Sequence, residues 1–152
     1  MIAVYIESCF PRYKVMEYIT PQQLSEMILD DQKVSSVDYL IVDVRGDDYT
    51  VCTFTDLISQ VGNIPGARNI PSHEFLENLS LYTPSLIKVP VLIFHCALSQ
   101  VRGPKCAHRY ALQQSNSQKV YCLQGGFSNW ASLYRSDPRL VENYDAEFWE
   151  NQ

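Results

Sequence analysis

The stretch VPVLIFHCALSQVRGPKCAHRYALQQ, residues Val89 to Gln114, contains a strand pattern, a loop and a helix pattern in succession. Val89–Phe94 is apolar and rich in branched residues, which is typical of a strand buried on both faces of a parallel sheet. Pro104 lacks a backbone N–H and suits the start of a helix, which we expect to open there and run to about Gln114. The loop between them therefore follows the carboxyl end of a strand, where open α/β sheets bind ligands.

Similar patterns extend on both sides of this stretch. Thr20 and Gln23 make a capping box, with Pro21 at the first position of a predicted helix. Because buried strands alternate with helices, we predict an α/β fold with a central, mainly parallel sheet flanked by helices. The other predicted elements are strands at Tyr39–Val44 and Lys119–Leu123, a brief strand before Pro71, a short helix capped by Ser72 that runs through Phe75 and Leu76, and a helix over Phe127–Tyr134.

Length and composition exclude several classes of protein. The chain has 152 residues, of which 46% are hydrophobic and 19% charged, as expected of one folded domain rather than a disordered chain. No apolar run approaches the ~20 residues of a membrane span, so we expect no membrane role. Met1–Phe10 lacks the basic start of a secretory signal. The net charge of -5 opposes nucleic-acid binding.

The cysteine pattern indicates reduced thiols. An odd number of irregularly spaced cysteines, without a secretory signal, favours a location in the cytoplasm or nucleus over a disulfide framework. The sequence contains no CxxC pair and no clustered histidines, so we expect no metal. The five are Cys9, Cys52, Cys96, Cys106 and Cys122.

The loop itself carries a nucleophile and an oxyanion binder. Cys96 and Arg102 form a Cys-x5-Arg pattern that leads into a helix, whose N-terminus and loop amides attract anions. That field favours the thiolate of Cys96, and Arg102 can grip two oxygens of an oxyanion. We therefore predict these two as catalytic, and the Ser99 hydroxyl either donates to the thiolate or is an ordinary loop hydroxyl. The predicted substrate-binding residues are Ala97, Leu98, Ser99, Gln100 and Val101.

The expected substrate is a phosphorylated protein or a small oxyanion. His95–Tyr110 contains Arg102, Lys105 and Arg109 but no acid, which makes a local basic patch. Cys96 would attack phosphorus and form a phosphocysteine that water hydrolyses. The same loop would bind arsenate, with a second thiol to resolve the adduct. No general acid is singled out: Asp47, Asp48, Glu74 and acids of the C-terminal tail are candidates, as is the substrate itself.

Four motifs together resemble one family. They resemble small single-domain phosphatases and arsenate reductases of rhodanese fold, which are related to the cell-cycle (M-phase inducer) dual-specificity phosphatases. The resemblance covers roughly Tyr18 to Tyr134 and implies a rhodanese-like fold. The motifs are HCALSQVRGP at His95–Pro104, DVR at Asp43–Arg45, GNIPGA at Gly62–Ala67 and LQGGFSNW at Leu123–Trp130.

The resemblance also implies an organisation and supporting residues. Residues 1–17 would be an N-terminal extension, 18–134 the catalytic domain, and 135–152 an acidic, aromatic tail packed on or near it. From the residues themselves, His95 is expected to orient the loop through a hydrogen bond, with direct proton transfer as the alternative. Asp43 and Arg45 are expected to form an ion pair at the strand end.

The implied activity is that of a cysteine-dependent protein tyrosine or dual-specificity phosphatase, a monomer without cofactor. One alternative is an arsenate reductase that takes electrons from glutathione and glutaredoxin. Another is a phosphate-binding module with little turnover. Sulfur transfer is disfavoured, because rhodanese sulfurtransferases use a shorter loop.

Three positions depart from the cell-cycle phosphatases. Ala97 stands where they have glutamate, Asn63 where the family turn has histidine, and Val44 where they have a protective cysteine. The first departure weakens a role on cell-cycle substrates. The last predicts that Cys96 lacks that particular partner for reversible oxidation.

Overall fold

The computed structural model describes residues 16–52, 58–114 and 117–150, with the backbone alone at 51, 52 and 58–60. Its strands form a parallel sheet of five and an antiparallel pair, β3 with β4. The five parallel strands stand in the order β1-β7-β6-β2-β5, which confirms the predicted sheet. The strands are β1 (Glu17–Ile19), β2 (Tyr39–Asp43), β3 (Thr50–Cys52), β4 (Ile58–Gln60), β5 (Arg68–Asn69), β6 (Val91–His95) and β7 (Lys119–Leu123).

Helices cover both faces of the sheet, as an α/β fold requires. None of the helices in the described ranges is long and apolar enough to cross a membrane. A 3₁₀ turn at Asp47–Tyr49 follows β2. The helices are α1 (Pro21–Leu29), α2 (Ser72–Glu77), α3 (Leu79–Leu86), α4 (Arg102–Gln113), α5 (Gly126–Tyr134) and α6 (Ala146–Glu150).

The apolar strands are buried because each side of the sheet has its own core. Leu40 and Val42 of β2 pack on the side that holds α2, α3 and α4. Tyr39 and Ile41 alternate with them and pack on the opposite side, with α1, α5 and residues 140–141. This alternation within a fully buried strand explains the continuous apolar pattern of β2.

Two predicted helix starts need correction. The capping box at Thr20 is present as predicted. Ser72, however, is the first helical residue of α2 and does not cap it; its backbone N–H donates to the carbonyl of Val44. Helix α4 begins at Arg102 rather than at Pro104. Pro104 is tolerated there because the first four N–H groups of a helix have no intrahelical partner.

The fold brings the chemistry-bearing residues to one edge of the sheet. Asp43 and His95 are neighbours in register at the carboxyl ends of β2 and β6. Cys96 follows directly, and the chain then loops into α4. The predicted site therefore lies at the strand ends, where parallel sheets present their ligand sites.

Candidate active site

The loop from Cys96 to Arg102 closes on itself. The backbone N–H of Ser99 donates to Cys96 Sγ at 3.2 Å, and the N–H of Cys96 donates to Ser99 Oγ at 3.4 Å. Ser99 adopts a φ of 51°, in the left-handed region that non-glycine residues seldom occupy. The thiol therefore accepts from the backbone N–H of Ser99 rather than from its hydroxyl, which was one of the two predicted roles of that side chain.

A cavity of about 160 Å³ opens within this loop. Cys96 and Arg102 both line it. Ser99, one of the predicted substrate-binding residues, does not line the cavity, because its side chain is buried and hydrogen-bonded within the loop. Leu98 and Val101 are 52% and 70% exposed and give the cavity an apolar rim. The described residues of its wall are Cys96, Ala97, Leu98, Gln100, Val101 and Arg102.

The start of α5 holds the loop from behind. The N–H groups of Phe127 and Ser128 donate to the carbonyls of Cys96 and Ala97, both at 2.9 Å. A Cβ atom on Gly126 would lie 2.5 Å from the Cys96 carbonyl oxygen, and its φ is +60°. Glycine is therefore needed for this approach. In a trans peptide the N–H points opposite to the carbonyl, so the N–H groups of Ala97 and Leu98 point away from α5.

Arg102 is paired with Asp48 at the mouth of the cavity. Nη1 donates to Oδ1 at 2.7 Å and Nη2 to Oδ2 at 2.5 Å. Burial alone would raise the pKa of the Asp48 carboxyl, but hydrogen bonds and charge from Arg102 outweigh it and hold that pKa below its usual range. The same hydrogen bonds raise the pKa of Arg102. The two residues are 54 positions apart, and no sequence pattern pairs them.

Two buried thiols lie below the loop. Burial raises the pKa of both Cys106 and Cys122 to about 12. Both are therefore protonated at neutral pH and chemically quiet. They share the apolar core with Cys96, as expected of packing residues. Cys9 and the side chain of Cys52 lie outside the described residues.

The predicted supporting residues form a buried network. Arg45 Nε and Nη2 donate to the carboxylate of Asp43 at 2.6–3.0 Å, which is the predicted ion pair. Nη2 also donates to the carbonyl of Gly62 at 2.8 Å. His95 Nδ1 lies 3.3 Å from the Cys96 carbonyl oxygen, and Nε2 lies 3.7 Å from Asp43. Burial lowers the pKa of His95, against the opposing charge of Asp43, so the imidazole is neutral at pH 7.

The C-terminal segment contacts the turn that departs from the family. Asn63 Nδ2 donates to Glu142 at 2.8 Å, and their backbones pair as an isolated bridge. Trp149 Nε1 donates to the carbonyl of Val61 at 2.7 Å. Residues 1–15 of the proposed extension and 151–152 of the tail lie outside the described residues. The division into extension, domain and tail stays a prediction.

Within residues 16–52, 58–114 and 117–150, no group of three or more His, Cys, Asp or Glu side chains is placed to hold a metal ion. Lys105 and Arg109 are exposed on α4, the helix that begins at the end of the loop.

Known proteins are similar to this chain in sequence and in fold. Residues 20–133 match the rhodanese-like domain family. The dual specificity phosphatase ibp1 of Schizosaccharomyces pombe is 32% identical over 150 residues, which cover 86% of this chain and 98% of that protein. Arsenate reductase 2.2 of Oryza sativa subsp. japonica is 29% identical over 121 residues, covering 76% of this chain and 82% of that one.

A solved structure supports the same family assignment. The yeast protein tyrosine phosphatase of the rhodanese family superposes with a TM-score of 0.73 and 25% sequence identity, covering 88% of this chain and 96% of that one. The predicted α/β class with its central parallel sheet is thus confirmed as a rhodanese fold. The chain belongs to the rhodanese-like domain family.

Proposed function

We propose that the chain is a cysteine-dependent phosphatase of the protein tyrosine or dual-specificity type. One observation carries the proposal: Cys96 and Arg102 line the same cavity. The two hydrogen bonds from the start of α5 to the loop support the proposal, because they turn the N–H groups of Ala97 and Leu98 away from that helix. A sulfur nucleophile, a guanidinium and backbone donors are the groups that phosphoryl transfer through cysteine requires.

The reaction would proceed in two steps. The Cys96 thiolate attacks phosphorus; an S–P bond forms, the P–O bond to the leaving group breaks, and that oxygen takes a proton. Water then attacks the phosphocysteine, releasing inorganic phosphate and restoring the thiolate. In both steps Arg102 and the loop amides would hold the equatorial oxygens, where negative charge gathers.

The rim supports a phosphorylated protein as substrate. Leu98 and Val101 would contact the carbon skeleton next to the phosphate, because both are apolar and more than half exposed. Lys105 and Arg109 would attract an acidic segment of the substrate. Of the other predicted residues, Ala97 and Gln100 would contribute to the cavity wall and Ser99 to the shape of the loop.

A second candidate is arsenate reduction at the same cavity. Arsenate matches phosphate in shape and charge, and Cys96 would form a sulfur–arsenic bond with it. Reduction then needs two electrons from further thiols. Because burial raises the pKa of Cys106 and Cys122 to about 12, those thiols would come from outside, from glutathione with glutaredoxin. The rice relative supports this alternative.

The phosphatase would act as a monomer without a cofactor, in the cytoplasm or nucleus, with no nucleic-acid or membrane partner. The free thiols of Cys96, Cys106 and Cys122 support a reducing compartment. The net charge of -5 supports the absence of a nucleic-acid partner.

The test compares purified wild-type protein with Cys96→Ser, and with Arg109→Gln as a surface control. Each is assayed on para-nitrophenyl phosphate and on a phosphotyrosine peptide, and in parallel on arsenate with glutathione and glutaredoxin. We expect phosphate release that Cys96→Ser abolishes and Arg109→Gln retains with the aryl phosphate. Donor-dependent arsenite without phosphate release would assign a reductase. Oxyanion protection of Cys96 without either product would assign a phosphate-binding module.

A further inference from the structure

The Asp48 carboxylate is held by its own turn as well as by Arg102. It lies in the 3₁₀ turn that follows β2, and its Oδ1 accepts a hydrogen bond from the N–H of Gly46 at 3.1 Å. Both carboxylate oxygens then accept from Arg102, at 2.7 and 2.5 Å. A carboxylate held by its own turn is a rigid support for a long, flexible arginine side chain.

The pairing with Asp48 leaves part of the guanidinium available. A guanidinium has five N–H donors, and Asp48 takes one from each terminal nitrogen. The remaining donors include Nε–H and the second N–H of a terminal nitrogen, which together form a fork along one side of the group. Arg102 lines the same cavity as Cys96, so the guanidinium lies close to the nucleophile.

We propose that Asp48 is a positioning residue that holds the end of the Arg102 guanidinium so that its side fork grips the oxyanion over Cys96. The inference rests on the function proposed above and adds a residue to it. Asp48 touches no reacting atom in this account; it acts through Arg102.

This role predicts a loss in kcat rather than in KM. Without Asp48, Arg102 keeps its charge and still attracts a phosphate dianion in the ground state. The loss falls on the transition state, because its trigonal oxygens require the fork in one orientation. Asp48→Asn keeps the shape of the side chain but removes the charge and one acceptor oxygen.

Two rival roles predict different results. If Asp48 competes with substrate for Arg102, Asp48→Asn lowers KM and strengthens phosphate binding without a loss in kcat. If Asp48 is the general acid, the loss is larger for an alkyl phosphate than for para-nitrophenyl phosphate, because the poorer leaving group needs the proton more. The structure opposes the second role, because Arg102 keeps the carboxyl ionised.

The first experiment measures kcat and KM for Asp48→Asn, with Asp47→Asn as a matched control. Asp47 is the exposed neighbour in the same turn and carries the same charge. For Asp48→Asn we expect kcat to fall about 10- to 100-fold on both substrates, with KM within about threefold of wild type. Asp47→Asn should stay within about twofold of wild type. Equal effects of the two variants, or either rival pattern, overturn the proposal.

A double-mutant cycle tests whether the effect passes through Arg102. In an Arg102→Ala background, Asp48→Asn should change kcat by less than about twofold, because the group that it positions is gone. A full loss in that background would contradict the proposal.

A binding readout separates this inference from the proposed function. Protection of Cys96 from iodoacetamide is measured with vanadate, which mimics the transition state, and with phosphate, which mimics the ground state. Asp48→Asn should weaken vanadate protection about 10- to 100-fold and phosphate protection by less than about threefold. If wild type shows no Cys96-dependent turnover, the proposed function fails, yet this contrast still decides the role of Asp48: equal weakening by both ions overturns it.

Discussion

Two aspartate–arginine pairs have aspartates only five residues apart, Asp43 at the end of β2 and Asp48 in the turn that follows, yet their surroundings differ. In the Asp43–Arg45 pair both side chains are 1% exposed. In the Asp48–Arg102 pair they are 36% and 37% exposed. Both pairs place arginine nitrogens on two carboxylate oxygens, so residue type does not explain the difference.

The different surroundings indicate different roles for the two pairs. Arg45 is also bound by the carbonyl of Gly62, and its guanidinium lies 4.2 Å from the centre of the Phe127 ring. It is enclosed by the protein and has a structural role. Arg102 lines a cavity and is 37% exposed, so a ligand can reach it. Removing a partner from the buried pair should therefore affect stability, and from the open pair activity.

The largest expected effect is on catalysis. Arg102→Ala should lower kcat/KM for para-nitrophenyl phosphate about 10³-fold or more, because an arginine on a transferring phosphoryl group contributes on that scale. The free energy of unfolding should change by about 1 kcal/mol or less, as for other solvent-screened pairs. Urea unfolding beside steady-state kinetics measures both. A large loss of stability with activity retained would reverse the assignment of the two pairs.

The buried pair should show the opposite pattern. Arg45→Met leaves the Asp43 carboxylate buried without its partner, which costs about 3–5 kcal/mol of unfolding free energy. Arg139→Met is the control, because Arg139 forms a similar pair with Asp137 on the surface. It should alter urea unfolding far less. If both variants unfold at the same urea concentration as wild type, burial is not what distinguishes the pairs.

Gly126 links the two regions, and its substitution should sharpen the contrast. The next residue, Phe127, lies against Arg45 through its ring and binds the Cys96 carbonyl through its N–H. Gly126→Ala would force a Cβ onto the loop carbonyls at a positive φ, at a cost of about 1–3 kcal/mol. We expect lower stability and lower kcat together. Thermal unfolding and kinetics on one preparation check this, with Ser132→Ala, an exposed position of the same helix, as control.

How much of this was predictable depends on how local each signal is. Strands β2, β6 and β7, the start of α1 and the Cys-x5-Arg loop each lie in one continuous segment with a clear pattern. Helix α3 was not predicted because Pro84 stands inside it. Strand β1 was not predicted either, because three residues are too few to show a period.

The same distinction between local and long-range signals applies to the candidate site. The residues of the loop were predicted because they are contiguous. The Asp48–Arg102 pair and the hydrogen bonds from α5 to the loop join segments that are far apart in the chain. Only the fold brings these segments together. The orientation of Ser99 depends on a left-handed backbone conformation, which a serine in the sequence does not predict.

The smallest expected effect is a difference in pH dependence. Burial lowers the pKa of His95 below its ordinary value of 6.5, so as the pH falls below about 6.5 the unfolded chain binds a proton that the folded chain does not. Stability should therefore fall between pH 7 and pH 5, by at most about 1.4 kcal/mol per pH unit. The lowered pKa of Asp48 has its effect only near and below about pH 4, where the unfolded carboxyl takes up its proton.

Thermal unfolding of His95→Asn at the two pH values checks this, with the exposed His108→Asn as control. The His95 variant should lose part of the wild-type dependence, and the control should retain it. An unchanged dependence in His95→Asn would locate the titrating group elsewhere.

The most direct test of the central claim is to trap the intermediate on Cys96. Wild-type protein is mixed with a phosphotyrosine peptide, quenched within the first turnover and digested, and the peptide containing Cys96 is analysed by mass spectrometry. The account predicts a phosphate adduct on Cys96, and none when Cys96→Ser is treated in the same way. Phosphate release by Cys96→Ser at the wild-type rate, or an adduct on another residue, would contradict it.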